Sequence, residues 1–356
     1  MGRLDRRSFG FLPDGREALL YTLTSNTGLE ATITNYGAAV VSLTVSDRDR
    51  RKVDVVLGYD ALSGYVEDNG YVGAIVGRYG NRIARGRFIL EGRTYQLALN
   101  DGDNHLHGGI RGFHKVLWAG EETSGEEGPA LKLSYVSRDG EEGYPGNLAI
   151  AVTYALTTNH GLRIDYEATT DAVTIVNPTS HVYFNLSGDP AKDILSHELT
   201  IDADQITVVG PGLIPTGELG DVLNTPMDFR RPTKIGLRIA HDDGQLRLAR
   251  GYDHNWVLDG HARTLRKVAT LFDPTRGIAM EMLTDQPGLQ FYSGNFLDGT
   301  IRGKKGALYP HRSALCLEAQ AFPDSPNQPA FPSPVLKPGE VYRQTTIYQF
   351  STRTRS

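Results

Sequence analysis

Val182, Phe184 and Leu186 recur at every second position of the segment NPTSHVYFNL (177–186), with His181, Tyr183 and Asn185 between them. A strand repeats with period two, so this pattern predicts one apolar face and an opposite face that is polar and partly aromatic. The segment SALCLEAQAF (313–322) has the same design. Leu315, Leu317 and Ala319 share one face, and Cys316, Glu318 and Gln320 share the other. Further alternating runs cover 30–45, 52–59, 86–97, 147–157, 162–170 and 267–274. Glu91-Gly92, between two such runs, predicts a tight hairpin in which glycine supplies the uncommon backbone angle. Helical signals are confined to one turn at 60–64 and a short helix near 233–239. No βαβ rhythm and no fixed-period repeat is present. Many short strands with turn signals predict an all-β fold, a sandwich or a barrel, and the expectation is a large antiparallel β-sandwich of two packed sheets with few short helices. No composition break marks a linker, so residues 1–356 are expected to form a single domain with its core at about 10–350. The acidic stretch 120–129 is expected to be a solvated loop, the first nine residues a loose tail, and the segment after Gln349 frayed.

Composition narrows the function. The formal net charge is −5, and Lys and Arg are dispersed without a dense basic block, which argues against nucleic acid as a partner. The single cysteine, Cys316, excludes an internal disulfide framework and a cysteine-rich metal site. It fits a reducing, cytoplasmic compartment. The basic N-terminal stretch has no apolar run behind it, so no signal peptide is expected. No 18-residue apolar stretch occurs, so no membrane helix is expected either. No repeated apolar interface stripe stands out, which favours a monomer.

Several polar groups are candidates for chemistry. Glu318 lies among leucines, and a partly buried carboxylate must be hydrogen-bonded or see its pKa rise, either of which suits a general base. A solvated or arginine-paired strand glutamate fits the pattern as well. His181 reads as an acid–base group or as a structural histidine. His105 and His107, two apart, share a face if they lie on a strand. No nearby acid or cysteine completes a metal set, and a polar loop at a cleft rim fits them better. Gly108-Gly109 then permits close backbone approach. Asn81 and Arg82 precede the hairpin, where the arginine suits a hydroxyl-rich or anionic ligand or a surface ion pair. In GYDHNW (251–256) Asp253 stands near Trp256, and a carboxylate beside an aromatic ring suits a sugar, although Asp-His-Asn is also an ordinary turn. Gln286 and Gln290 follow with Phe291 and Tyr292, and a proline-rich loop, 321–334, forms a site wall or a plain connection.

Taken in order, NRIARGRF, NHLHGG, NPTSHVYFNL, GYDHNW, QPGLQFYSGNFLDG and LCLEAQAFPDSPNQPAFPS resemble the aldose 1-epimerase (galactose mutarotase) family over about residues 30–350. The resemblance implies a large β-sandwich with an open sugar-binding cleft, a free monosaccharide such as galactose or glucose as substrate, and no metal or organic cofactor. It implies Glu318 as catalytic base and His181 as catalytic acid. Arg82, His107 and Asp253 would line the sugar site, with Asn81 and one glutamine, Gln286 in preference to Gln290, touching hydroxyls. Ser180, Val182 and Ala319 depart from the family's usual Asn, Ser and Thr, which leaves room for a changed sugar preference. On this reading Glu318 titrates near its reference pKa of about 4.3, and a nearby carboxylate favours protonated His181. The competing readings are a non-catalytic sugar-binding protein, a hexose-phosphate epimerase with Arg78 and Arg85 assisting Arg82, and a glycoside hydrolase using Asp253 with Glu318.

Overall fold

A computed structural model describes residues 2–68, 70–125, 127–260 and 263–354. Two large sheets dominate it. One has nine strands in the order Ala119–Gly125, Gly128–Ser137, Leu148–Leu156, Gly161–Thr170, Tyr342–Thr352, Ile278–Thr284, Arg266–Asp273, Glu198–Ile201 and Thr233–Lys234. The other has six, in the order Tyr183–Phe184, Leu315–Gln320, Gly288–Tyr292, Asp253–Val257, Gln205–Val209 and Pro215–Asp221. Both are antiparallel throughout. A five-stranded meander, Arg3–Phe11 to Lys52–Asp54, packs into the same core. Among the described residues the α-helices are Leu62–Glu67 and Gly244–Ala249.

The alternation seen in the sequence decides which face meets the core. Leu315, Leu317 and Ala319 are buried in the main apolar cluster with Val182, Phe184 and Leu186. Opposite them stand Ile164, Tyr348 and Phe350 of the nine-stranded sheet. The Phe184 and Tyr348 rings lie 4.9 Å apart, and the Tyr348 hydroxyl donates to the Leu317 carbonyl at 3.0 Å. Burying each such leucine or phenylalanine contributes about 1.5–3 kcal/mol. The six-stranded sheet therefore turns one face to the core and holds the other, polar face in register. Gln290 is paired with Glu318, and Cys316 with both Tyr292 and Tyr183.

Several local expectations change. The 177–186 run is not one strand but two short pairings, Thr179–Ser180 and Tyr183–Phe184, because the His181 N–H donates to Ala74 O and its carbonyl accepts from Gly73 N–H. The first residues are not a loose tail, since Arg3–Phe11 pairs with Glu17–Thr24. Residues 119–125 are an exposed edge strand rather than a loop, with Glu121 and Glu122 facing solvent. Charge on an edge is a common guard against further strand pairing, and the sequence signal for it looks like a loop. The C-terminal strand runs to Thr352 instead of fraying after Gln349. Residues 233–237 form a bridge strand and a 3-10 turn, not a helix. The turn at 60–64 belongs to the helix Leu62–Glu67, and the unexpected helix Gly244–Ala249 is capped by the Asp243 carboxylate, which accepts from the N–H groups of Gln245 and Leu246. The Glu91-Gly92 hairpin forms as expected, both residues having positive φ (49° and 77°).

Candidate active site

Glu318 projects from the central strand Leu315–Gln320 on the face away from the core and is 2% exposed. His181 enters from the irregular link between two strands and is also buried. Its Nε2 lies 3.9 Å from Glu318 Oε1, too far for a direct hydrogen bond and close enough for one small substrate to face both groups. Glu318 Oε2 is buried with no partner among the described residues. Burial, and then the neighbouring Asp253, push the Glu318 carboxyl well above the usual carboxylate range, with Arg82 opposing. Burial pulls His181 down to about 4. The rise at Glu318 is the outcome expected of a buried carboxylate without a hydrogen bond, while the reference value and a protonated His181 are corrected. Glu318 does not sit near its reference value, and at 3.9 Å the carboxylate does not hold the imidazole protonated. Burial thus disfavours the charged form of each group.

Arg82 and His107 arrive together. The two-residue strands Arg82–Ile83 and His105–Leu106 pair antiparallel. Asn81 and His107 at their ends take left-handed conformations, with φ of 63° and 51°. The Asn81 N–H donates to His107 Nδ1 at 3.1 Å, the His107 N–H donates to Asn81 O at 3.2 Å, and Asn81 Oδ1 accepts from the Arg82 N–H at 2.8 Å. Asn81 is thus the local clasp that aims its two neighbours. The Nδ1 acceptor role places the proton of neutral His107 on Nε2. Gly108 is essential to the clasp, because a Cβ there would meet Gly77 O at 1.7 Å.

His105 and His107 do not share a face. His105 is held by Ala98 O and the Tyr144 hydroxyl, at 2.7 and 2.6 Å, away from Glu318's partners. The left-handed turn at His107 sends that ring instead against His181, with ring centres 5.1 Å apart. His107, His181 and Glu318 each offer a ligand atom within 4.8 Å of the others. A metal would need the Nε2 lone pair of His107, and the Asn81 N–H at Nδ1 keeps a proton there. The donor set therefore does not suit a metal ion.

Asp253 lies at the end of the strand Asp253–Val257. Its Oδ1 accepts from Gln290 Nε2 at 2.7 Å, and its Oδ2 stands 3.8 Å from Arg82 Nη1. Arg82 Nε donates to Asp101 at 2.8 Å, so the guanidinium bridges two carboxylates. Burial raises the Asp253 pKa, and Arg82 and Gln290 oppose the rise. Gln290, not Gln286, stands beside the carboxylates, with a buried, unpartnered Oε1. Gln286 instead donates to Asp285 at 3.1 Å. Trp256 is not a sugar platform, because it is fully buried in the main core with its indole N–H on Met227 O. The aromatic rings around His181 are Tyr71, Tyr183 and Tyr292, with centres 5.7, 5.0 and 6.4 Å away. The proline-rich loop steadies the arginine: the Asp324 N–H donates to Arg82 O and its carboxylate accepts from the Ala84 N–H.

Sequence reasoning missed Tyr71 and Asp101, whose signal is only a glycine-flanked turn and an Asp-Gly pair. Of the other arginines, Arg78 is buried and spends its guanidinium on carbonyls such as Pro145 O and Gly146 O, so it is not available to a phosphate. Arg85 is exposed and borders an open groove of about 1040 Å³ that shares Arg82 and Asp101 with the cluster. Of the three departures from the family pattern, Val182 and Ala319 belong to the main core cluster, on the side away from Glu318.

A β-sandwich that sets a buried carboxylate opposite an imidazole, within a ring of polar side chains, is an arrangement suited to acid–base chemistry. The chain belongs to the aldose 1-epimerase family, whose model matches residues 19–349. It is 44% identical over 351 residues to a galactose mutarotase of Bos taurus, with 99% of each chain covered. It is 38% identical over 341 residues to an aldose 1-epimerase of Escherichia coli K12, covering 95% of this chain and 96% of that one. Among solved structures, a galactose 1-epimerase from Lactobacillus acidophilus superposes with a TM-score of 0.87 at 26% identity, covering 99% of each chain.

Proposed function

We propose that this enzyme interconverts the α and β anomers of free aldohexoses such as galactose and glucose, with Glu318 and His181 as its proton-transfer pair. The observation that carries the assignment is the 3.9 Å gap between His181 Nε2 and Glu318 Oε1 in a buried site. The anomeric hydroxyl O1 and the ring oxygen O5 share one carbon, so a ring lying alongside the pair turns O1 to Glu318 and O5 to His181. Glu318 takes the O1 proton while the C1–O5 bond breaks and His181 gives its Nε2 proton to O5. C1 becomes an aldehyde, the C1–C2 bond rotates, and reclosure on the other face returns each proton. The open-chain state therefore carries the proton on Glu318 and leaves His181 neutral, the uncharged forms that burial favours. A bound ring supplies hydroxyl hydrogen bonds to the carboxylate and moves the proton toward His181, with no net change in charge. Neutral His107 offers Nε2–H to a sugar oxygen, and Arg82, Asp253 and Gln290 orient the hydroxyls. Protein groups suffice for every step.

The enzyme acts as a cytoplasmic monomer in this reading. Among the described residues no helix is long and apolar enough to cross a membrane. Polarimetry after dissolving pure α-D-galactose, and then α-D-glucose, tests the proposal. The enzyme should speed the approach to an unchanged final rotation. Glu318→Gln and His181→Asn should each lower kcat by roughly 10²–10⁴-fold. Failure to accelerate either sugar would remove the activity, and an unimpaired variant would remove that residue from the pair.

A further inference from the structure

Two neighbouring buried histidines receive different hydrogen-bond partners at Nδ1. His107 Nδ1 faces a backbone N–H, that of Asn81 at 3.1 Å, and must accept. His181 Nδ1 faces Cys316 Sγ at 3.5 Å, within range of a sulfur hydrogen bond. Cys316 is fully buried, two residues from Glu318 on the same strand, and register-paired with Tyr183 and Tyr292. Its sulfur can accept a hydrogen bond and, as a thiol, can also donate weakly.

The reaction distinguishes these options. An imidazolium that releases its proton from Nε2 becomes a neutral ring with the remaining proton on Nδ1. The same Nε2 lone pair must then recover the proton from O5. A histidine that cycles in this way needs an acceptor at Nδ1, whereas one held as a permanent Nε2–H donor needs a donor there. We propose that Cys316 is a positioning residue for His181, its sulfur accepting the Nδ1–H so that the lone pair of the neutral ring stays on Nε2, the nitrogen facing Glu318. The Asn81 N–H does the reverse for His107. Two adjacent imidazoles are thereby divided into a proton carrier and a fixed hydrogen-bond donor, which explains why His181 and not His107 is the acid.

Sulfur is a weaker acceptor than the carboxylate often found behind a catalytic histidine. It orients the ring without stabilising the imidazolium strongly, so His181 remains a ready proton donor to the poorly basic O5. The competing acceptor for Nδ1–H is the residue's own carbonyl, already engaged by the Gly73 N–H at 3.0 Å. Other polar groups near the ring are Glu318, His107 and, across Tyr71, His114, with Tyr71, Tyr183 and Tyr292 packed beside it.

The inference rests on the proton-transfer role proposed for His181, and its first test is independent of activity. Multiple-bond ¹H–¹⁵N spectra of histidine-labelled, sugar-free enzyme should show His181 as the Nδ1–H tautomer and His107 as the Nε2–H tautomer. Cys316→Val removes the acceptor at similar volume, and Cys316→Ala serves if the valine variant does not fold. Either should mix the His181 tautomers and lower kcat roughly 2- to 10-fold with KM nearly unchanged, the scale of one modest hydrogen bond. Cys316→Ser retains an acceptor and should keep both the tautomer and most of kcat. An Nε2–H signal for His181 in the wild type would overturn the proposal, as would a Val or Ala variant with wild-type kcat and an unmoved tautomer. Loss of the mutarotase reading itself would show separately, as absence of any acceleration by the wild type.

Discussion

Gln290 and Gln286 differ by four positions and by their whole role. Gln290 lies in the strand Gly288–Tyr292, opposite Glu318 in register, and donates to Asp253 at 2.7 Å. Gln286 precedes Pro287 and the strand, and its amide turns to Asp285. Gln290→Ala strips a buried carboxylate of its donor and removes an unpartnered oxygen available to a sugar hydroxyl. Such a loss costs about 1–3 kcal/mol. KM should therefore rise about 5- to 100-fold with a smaller fall in kcat, while Gln286→Ala stays within about twofold on both. Initial mutarotation rates across a range of galactose concentrations check this, and equal effects from the two variants would sink the assignment. The alternation of SALCLEAQAF was enough to set Glu318 and Cys316 on one face. It was not enough to choose between the glutamines, because that choice depends on where a strand starts and on its cross-strand register. The rise at Glu318 was legible as one of two outcomes of burial, whereas the fall at His181 was not, because it arises from a burial that only folding creates.

At the scale of elements, long alternating runs translated directly into strands. Residues 147–157 and 162–170 became Leu148–Leu156 and Gly161–Thr170 of the nine-stranded sheet. The misread segments lie at edges and links. Arg3–Phe11 and Ala119–Gly125 are strands with little apolar burial, so their sequences lack the period-two signal and look like tail and loop. Asn81 and His107 depend on left-handed angles that no side-chain pattern announces. Glycine pairs do mark such places, and two glycines separate backbone strain from collision. Gly92 has φ of 77° with open space around it, whereas Gly108 has φ of 86° and a carbonyl where a Cβ would stand. Gly92→Ala should cost about 1 kcal/mol, and Gly108→Ala about 2–4 kcal/mol with loss of activity as His107 is displaced. Urea unfolding read beside polarimetry measures both. Equal costs would mean that the clasp around His107 relaxes without penalty.

For the whole molecule, the polar groups buried by the sandwich make stability depend on pH in two opposed ways. His105, His181 and His254 are pulled down to about 4 by burial, and His114 to about 3. Their unfolded pKa is about 6.5. Between those values the unfolded chain binds protons that the folded protein refuses. This contribution is therefore full above about pH 6.5 and is lost as pH falls toward 4, by up to about 3 kcal/mol for a group shifted to about 4. Glu318 and Asp253 are shifted upward, so they act with the opposite sign. As pH falls through their folded values, the folded protein holds protons that the unfolded chain releases, and stability is gained. The number of lowered histidines makes the net effect a loss of stability from pH 7 to pH 4.5, seen as a falling urea midpoint. Replacing both carboxyls, by Glu318→Gln with Asp253→Asn, removes the opposing contribution. That variant should lose stability more steeply than wild type on acidification. A wild-type midpoint that holds constant across this range would show that the histidines do not enter the fold uncharged. A double variant with an unchanged slope would show that Glu318 and Asp253 ionise as they do in water, with neither carboxyl raised by burial.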